Sequence, residues 1–271
     1  MALRINLNAS ALNAHRQLLG TDTALGASIE RLSSGFRINR AADDPAGLAI
    51  SENLRAQVSG LGQAISNSSD AVNMIRTAEG ALSEVHTLLR TMRNLALHAA
   101  NTGTNDETSI AADQTQIESS LAALNRIASN TQFGTKKLLD GSATGLIFQV
   151  GANANQTTSV DISGVSASDL SIAGINVTSD AQAAITALDT AVSNISTLRA
   201  KLGATQRDLE SNISSLGIAK ENIAASESSI RDADMASEMV TFTRNQILLQ
   251  AGTAMLTQAN QAPQALLSLL R

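Results

Sequence analysis

The chain has 271 residues with no Cys, Trp or Tyr, four Phe and two Pro, and its 19 basic and 24 acidic side chains give a formal charge of −5. No cysteine means no disulfide, thiolate metal site or cysteine nucleophile, and an acidic balance without a basic run disfavours nucleic-acid binding. Charged residues are 16% against roughly 25% in ordinary domains, and with aromatics at 1% the 43% hydrophobic fraction is nearly all aliphatic or alanine, short of the rings that anchor ligand pockets.

Along the chain, the opening Met1–Asn8 has no continuous apolar run, so no signal peptide is expected. Leu18, Leu25, Ile29 and Leu32 then follow a 3–4 spacing among sparse charges, which predicts an amphipathic helix. Arg37, Arg40, Asp43 and Asp44 crowd around Gly35 and Gly47. One reading is an ordinary polar connection. The other, preferred because the flanking segments need partners, is a structured turn carrying both charge signs and suited to docking on other copies. Asp43-Asp44-Pro45 is read as a helix cap followed by proline at the first helical position, not as a carboxylate pair for acid–base work.

The helix starting there carries Leu54, Leu61, Ile75, Leu82 and Leu89 on one heptad position and Val58, Ile65 and Val72 on another, interrupted by Ser68, Glu79 and His86. It is expected to end at the turn cluster Asn101–Asn105, before a shorter helix with Ile110, Ile117, Leu121, Leu124 and Ile127 on one face. Residues 133–179 are punctuated by glycines, and Leu146–Val150 and Ser159–Ile162 read as short strands. Leu188, Ile195, Leu202, Leu209, Leu216, Ile223 and Ile230 then recur every seven residues, with Ile185, Val192 and Ile213 on the companion position. Such a seam implies a helix of roughly 65 Å that needs a partner.

Residues 245–270 contain no charged side chain, yet hold Asn245, Gln246, Gln250, Gln258, Asn260, Gln261 and Gln264. Leu248, Met255, Leu256, Leu266 and Leu270 supply an apolar face. That amide content argues against a lipid-spanning helix, and no run approaches the ~18 apolar residues of a membrane span. Both ends look built to be covered by other copies of the chain. The fold class expected is mainly α: an elongated antiparallel coiled-coil or helical-bundle rod with a small β-hairpin region at about 133–179.

Catalytic signals are missing. His15, His86 and His98 have no histidine three or four residues away, so no metal or cofactor site is expected. There is no GxSxG, phosphate-binding loop or GxGxxG. The sequons at Asn194 and Asn212 fall on the heptad helix and are read as chance matches; Met235, Met239 and Met255 are read as packing residues.

Several long stretches, in order from end to end, resemble the bacterial flagellin family in a short form without large central domains. They are Ile29–Gly35, Ala41–Ile50, Asn130–Gly134, Phe148–Asn153, Ser229–Asp234, Gln250–Gly252 and Gln258–Gln261. The resemblance implies a non-enzymatic, secreted subunit that polymerises into the extracellular filament used for swimming and is exported by the flagellar type III pathway. It implies a terminal inner-tube domain, residues 1–42 plus 236–271, disordered in the free monomer, and a rod domain, 43–235. The implied self-assembly interface comprises Leu18, Leu25, Ile29, Leu32, Arg37, Arg40, Asp43, Asp44, Leu248, Met255, Leu256, Leu266 and Leu270. Implied partners are further copies, an export chaperone, a filament cap and hook-junction proteins, with neither nucleic acid nor membrane.

The resemblance also implies contact of Arg90, Arg93, Leu95 and Gln116 with the vertebrate innate flagellin receptor. Thr91 stands where strongly detected flagellins carry arginine, Asn94 where they carry an acid, and Gln116 where they carry glutamate. Weakened recognition is the expectation. A hook–filament junction protein, a peptidase-bearing flagellin and a glycan-binding adhesin are the competing readings. The dense rod motifs disfavour the first, the lack of HExxH the second, and the lack of an aromatic platform the third.

Overall fold

The computed structural model describes residues 8–269, with side-chain surroundings for residues 8–261. The described residues form five α-helices and four short strands: α1 (Ala9–Ser34), α2 (Pro45–Ala99), α3 (Glu107–Asn130), β1 (Gln132–Phe133), β2 (Lys136–Lys137), β3 (Leu146–Gln149), β4 (Thr157–Val160), α4 (Ala181–Arg231) and α5 (Met235–Leu269). The chain is mainly α. It divides into two compact units, Met1–Ala56 with Asn222–Arg271, and Gln57–Glu221.

Helix boundaries follow local chemistry. Asp44 Oδ1 accepts the Gly47 N–H at 2.8 Å and Pro45 opens α2, the cap expected from the sequence. Asp106 caps α3 through the Ser109 N–H at 2.8 Å. Between them, Asn101 and Thr104 pair side chain to side chain at 2.7 Å, and His98 Nδ1 lies 2.6 Å from Asp113 Oδ2 across the turn. Gly35 ends α1 in the left-handed conformation (φ 75°), where a residue with a Cβ is strained, and its N–H closes onto Arg31 O at 2.8 Å.

In the unit Gln57–Glu221, α2 and α4 run antiparallel, for ion-pair partners fall on α4 as they rise on α2. Arg76 meets Glu210 at 3.0 Å, Glu79 meets Arg199 at 3.6 Å, and Arg93 meets Asp189. The buried α2 seam is Leu61, Ala64, Ser68, Ala71, Ile75, Ala78, Leu82, Val85, Leu89, Met92, Ala96 and Ala99, alternating three- and four-residue steps. The expected leucine line is present. Its companion is the small-residue line through Ala64, Ala71 and Ala78, while Val58 and Ile65 are only half-buried. A narrow residue there permits close approach of the facing helix, which periodicity of large side chains does not register. Ser68, read as an interruption, sits inside the seam with its hydroxyl unpaired.

On α4, Leu188, Ile195, Leu202 and Leu209 are fully covered with Ala184, Ala191 and Leu198, whereas Leu216, Ile223 and Ile230 are half-buried. The heptad is continuous in sequence but graded in burial. Full coverage coincides with the stretch that shares one core with α3 (Ile117, Leu121, Leu124) and with the segment after it.

The β region is small, as expected, with strand bounds that differ from those read in the sequence. β1 pairs with β2, and β3 pairs antiparallel with β4 from Leu146↔Val160 to Gln149↔Thr157. The second strand begins at Thr157 and stops before Asp161; Val150 and Ile162 lie outside strands, with N–H bonds to Gln156 O at 2.9 Å and Ala143 O at 3.0 Å. Residues 161–180 form turns with no strand, yet bury Ile162, Val165, Leu170, Ile172 and Val177. α3 side chains pin them: Asn125 accepts from Ala167 N at 2.9 Å and Gln114 from Val177 N at 2.9 Å. Side-chain bonds thus satisfy backbone groups that a sheet would otherwise satisfy.

Candidate functional site

In the unit holding both ends, α1 and α5 form an antiparallel pair. Asn8 Nδ2 donates to Ala259 O at 2.8 Å, and Arg31 meets Glu238 at 3.7 Å. At the middle, Gly252 faces Leu18: a Cβ there would stand 3.4 Å from Leu18 Cδ1, an ordinary contact distance.

The inward stripe of α1 is Ala11, Ala14, Leu18, Thr21, Leu25, Ser28 and Leu32; that of α5 is Glu238, Phe242, Asn245, Leu249, Gly252, Leu256 and Ala259. Of these, only Ser28 is fully buried. The sequence-derived interface residues therefore divide. Leu18, Leu25, Leu32 and Leu256 lie on the half-buried stripes, while Ile29, Leu248 and Met255 are exposed. The side chain of Leu266 and the whole of Leu270 fall outside the described residues.

A second set of apolar side chains emerges on the outward faces: Leu12, Leu19 and Ile29 on α1, and Met235, Met239, Val240, Ile247, Leu248 and Met255 on α5. Nine of the fourteen exposed large hydrophobics among the described residues lie on these two helices. Met239, Val240, Thr243, Arg244, Ile247 and Leu248 line one shallow, almost wholly apolar concavity. With Leu249 and Leu256 facing inward, α5 carries large apolar side chains on more than one side, interleaved with polar residues that are mostly uncharged. The outward set was readable in principle: Leu12 and Leu19 are seven apart, as are Val240 and Ile247. A search for one amphipathic stripe per helix passes over a second.

The turn after α1 is tied down within its own unit. Arg37 N donates to Arg231 O at 2.7 Å, its guanidinium donates to Ile230 O, and Ala233 N donates to Gly35 O at 2.9 Å. The Arg231 guanidinium stacks 4.7 Å above the Phe36 ring and pairs with Glu52 at 2.8 Å. Arg40 meets Glu30 at 2.9 Å. Asp43 Oδ2 accepts the N–H groups of Arg40 at 2.9 Å and Asn39 at 3.1 Å, and these bonds, aided by the charges of Arg31 and Arg40, hold its carboxyl below the usual aspartate range. Ile38 is buried beneath, and a Cβ on Gly47 would lie 2.8 Å from its Cδ1. All four charged residues singled out here thus serve internal bonds: Arg37 and Asp43 to backbone, Arg40 to Glu30, Asp44 as the α2 cap.

In the other unit, Arg90 and Gln116 are exposed and Leu95 is half-buried. Arg93 is engaged by Asp189, whose hydrogen bond and charge raise its pKa above the ordinary arginine value. Among the described residues no cluster of three or more His, Asp or Glu is placed to hold a metal, and no helix is long and apolar enough to cross a membrane.

Residues 5–144 match the family model for the bacterial flagellin N-terminal helical region, and residues 185–270 that for the C-terminal helical region. The chain is 44% identical to a flagellin of Bacillus subtilis (strain 168), covering 99% of this chain and 100% of that protein. It is 48% identical to a flagellin of Halalkalibacterium halodurans, covering 98% and 99%. A flagellar filament 33 kDa core protein of Treponema phagedenis is 41% identical over the same shares. Among solved structures, Bacillus cereus flagellin aligns over 56% of this chain and 88% of its own with a TM-score of 0.51 at 28% identity. A putative flagellar hook-associated protein of Vibrio parahaemolyticus, at 15% identity, shares the fold with a TM-score of 0.59 over 70% of this chain and all of its own. With both helical regions matched and relatives aligned over nearly their full length, the chain belongs to the bacterial flagellin family.

Proposed function

We propose that α1 and α5 are the assembly element of this filament subunit, their outward apolar faces covered by the same helices of neighbouring copies. The chain is a structural subunit that polymerises into the extracellular bacterial flagellar filament, a mechanical and not a catalytic role. One observation supports this assignment of the assembly element above others: the large exposed hydrophobics concentrate on α1 and α5. Covering one such side chain is worth about 1.5–3 kcal/mol, so several per copy outweigh the entropy of fixing the pair once neighbours are in place.

In this reading residues 1–42 and 236–271 form the inner tube, ordered by assembly, and residues 43–235 the surrounding rod. A heterologous contact whose rotation does not close gives a helical polymer and no ring. The braced turn at 35–44 is the connection in sequence between tube and rod. Export runs through the flagellar type III pathway, with a chaperone, a filament cap and hook-junction proteins as transient partners. Arg90, Arg93, Leu95 and Gln116 form the innate-receptor contact, weakened because Thr91 and Gln116 lack the charges of strongly detected flagellins. A receptor-reporter assay checks this: Thr91→Arg with Gln116→Glu raises potency, and no gain contradicts it.

The central test is seeded growth of the purified full chain, followed by electron microscopy. Filaments micrometres long are expected. Short or absent polymers would instead favour a junction role.

A further inference from the structure

Resting on the assembly reading above, we propose that Met235, Met239 and Met255 are oxidation sites through which peroxide blocks the free subunit from joining a filament. The methionines divide cleanly. Met74 and Met92 are buried on α2 at 4% and 0% exposure, whereas Met235, Met239 and Met255, all on α5, are 45%, 50% and 64% exposed. The sixth, Met1, lies outside the described residues. Every exposed methionine among the described residues thus stands on the outward faces assigned to assembly, and Met239 lines the apolar concavity with Val240, Ile247 and Leu248.

The chemistry needs only a two-electron oxidant such as hydrogen peroxide. A sulfur lone pair attacks one peroxide oxygen and the O–O bond breaks. A sulfoxide S–O bond forms and water leaves, so the sulfur is oxidised and the peroxide reduced. The product replaces a soft apolar thioether with a strongly polar acceptor. In the free subunit water solvates that oxygen at no cost to the fold. The concavity is lined almost wholly by apolar side chains, its Thr243 hydroxyl already donates to Met239 O at 2.8 Å, and Arg244 is its one charged lining residue, so burying a sulfoxide oxygen there is unfavourable. The modification is therefore silent in the monomer and costly at the growing end. Once covered, the same sulfurs are shielded from peroxide.

The test treats the full-length monomer with dilute hydrogen peroxide, quantifies sulfoxide at each methionine by peptide mass spectrometry, and measures elongation from unoxidised seeds. Met235, Met239 and Met255 should oxidise at least about tenfold faster than Met74 and Met92, and elongation should fall at least about tenfold while far-ultraviolet circular dichroism stays unchanged. M235L/M239L/M255L, which keeps apolar volume, should elongate at a rate that peroxide leaves unchanged, the readout being the ratio of its elongation after and before peroxide rather than its rate relative to wild type. If the triple variant elongates poorly from the outset, the three single leucine variants replace it, each expected to remove part of the peroxide loss. In assembled filaments the three sulfurs should be protected. Normal elongation by oxidised wild-type subunits overturns the inference, as does an equal peroxide loss in the leucine variants. If unoxidised subunits fail to elongate, or the three sulfurs react as fast in filaments as in monomers, the assembly reading falls and takes this inference with it.

Discussion

The two units use similar helices to opposite ends. Along α2 and α4 in residues 57–221, leucine, isoleucine and alanine alternate in seams that reach zero exposure, and α3 and the turns of 161–180 close the same core. In the α1–α5 pair the inward stripes are only half-buried, and large aliphatic side chains also stand on the opposite faces. The first region buries most of its large apolar side chains internally, leaving Leu97, Phe133, Ile147 and Ile218 exposed. The second retains apolar surface that only other molecules can cover. Burial, and not composition or helix content, separates the sealed core of residues 57–221 from the helix pair proposed to join subunits.

The strongest way to break this contrast is to remove residues 245–271. That truncation should abolish polymerisation completely while leaving a soluble, helical remainder; filaments in electron micrographs of the truncated chain would refute it. Next in size, Leu82→Ala in the sealed seam should cost the subunit about 2–5 kcal/mol in urea unfolding. Ile247→Ala, on an exposed face, should shift the same measurement by less than about 0.5 kcal/mol, yet raise the subunit concentration needed for elongation several-fold. Equal effects of the two substitutions on unfolding would erase the distinction between the regions.

A smaller effect of opposite sign is expected at Ser68, whose hydroxyl is buried in the seam without a partner. Ser68→Ala should stabilise the subunit by about 1 kcal/mol, measured by the same urea titration, because an unsatisfied donor leaves the core.

The smallest is a pH effect at the braced turn. Asp43 is held below the ordinary aspartate range by the N–H groups of Arg40 and Asn39. Its folded pKa lies below its unfolded one, so its contribution is fully present above the ordinary aspartate range and fades as pH falls through the lower folded value. Asp43→Asn should therefore lower the unfolding midpoint slightly above about pH 5 and converge with wild type in strong acid. A constant offset across the whole titration would mean that its charge plays no part.

Much of this arrangement was legible in the residues. The Asp44–Pro45 cap, the turn at 101–105, the α3 face and the heptad from Leu188 all stand where spacing placed them. The motifs that resembled flagellin led to the family that the matched regions establish. Other features were not legible, for identifiable reasons. Ala64, Ala71 and Ala78 complete the α2 seam, but an alanine reads alike in a seam and on a surface. Ser68 reads as a break until its burial is seen. The strand expected through Asp161 and Ile162 stops at Val160, and the Ile162 N–H bonds to Ala143 O, outside the β3–β4 ladder.

The division of labour is clearest on α1. Spacing by itself determined that it is an amphipathic helix with Leu18, Leu25, Ile29 and Leu32 as its apolar set, since 3–4 periodicity is a property of the chain. Only the tertiary structure decided that Leu18, Leu25 and Leu32 turn toward α5 while Ile29 joins Leu12 and Leu19 on the open face. A helix with apolar residues on more than one side has no intrinsic preference for which side its partner takes. The choice is made by packing against the partner helix, which half-buries Leu18, Leu25 and Leu32 and fully buries Ser28, and the faces left over are those available to a neighbouring copy.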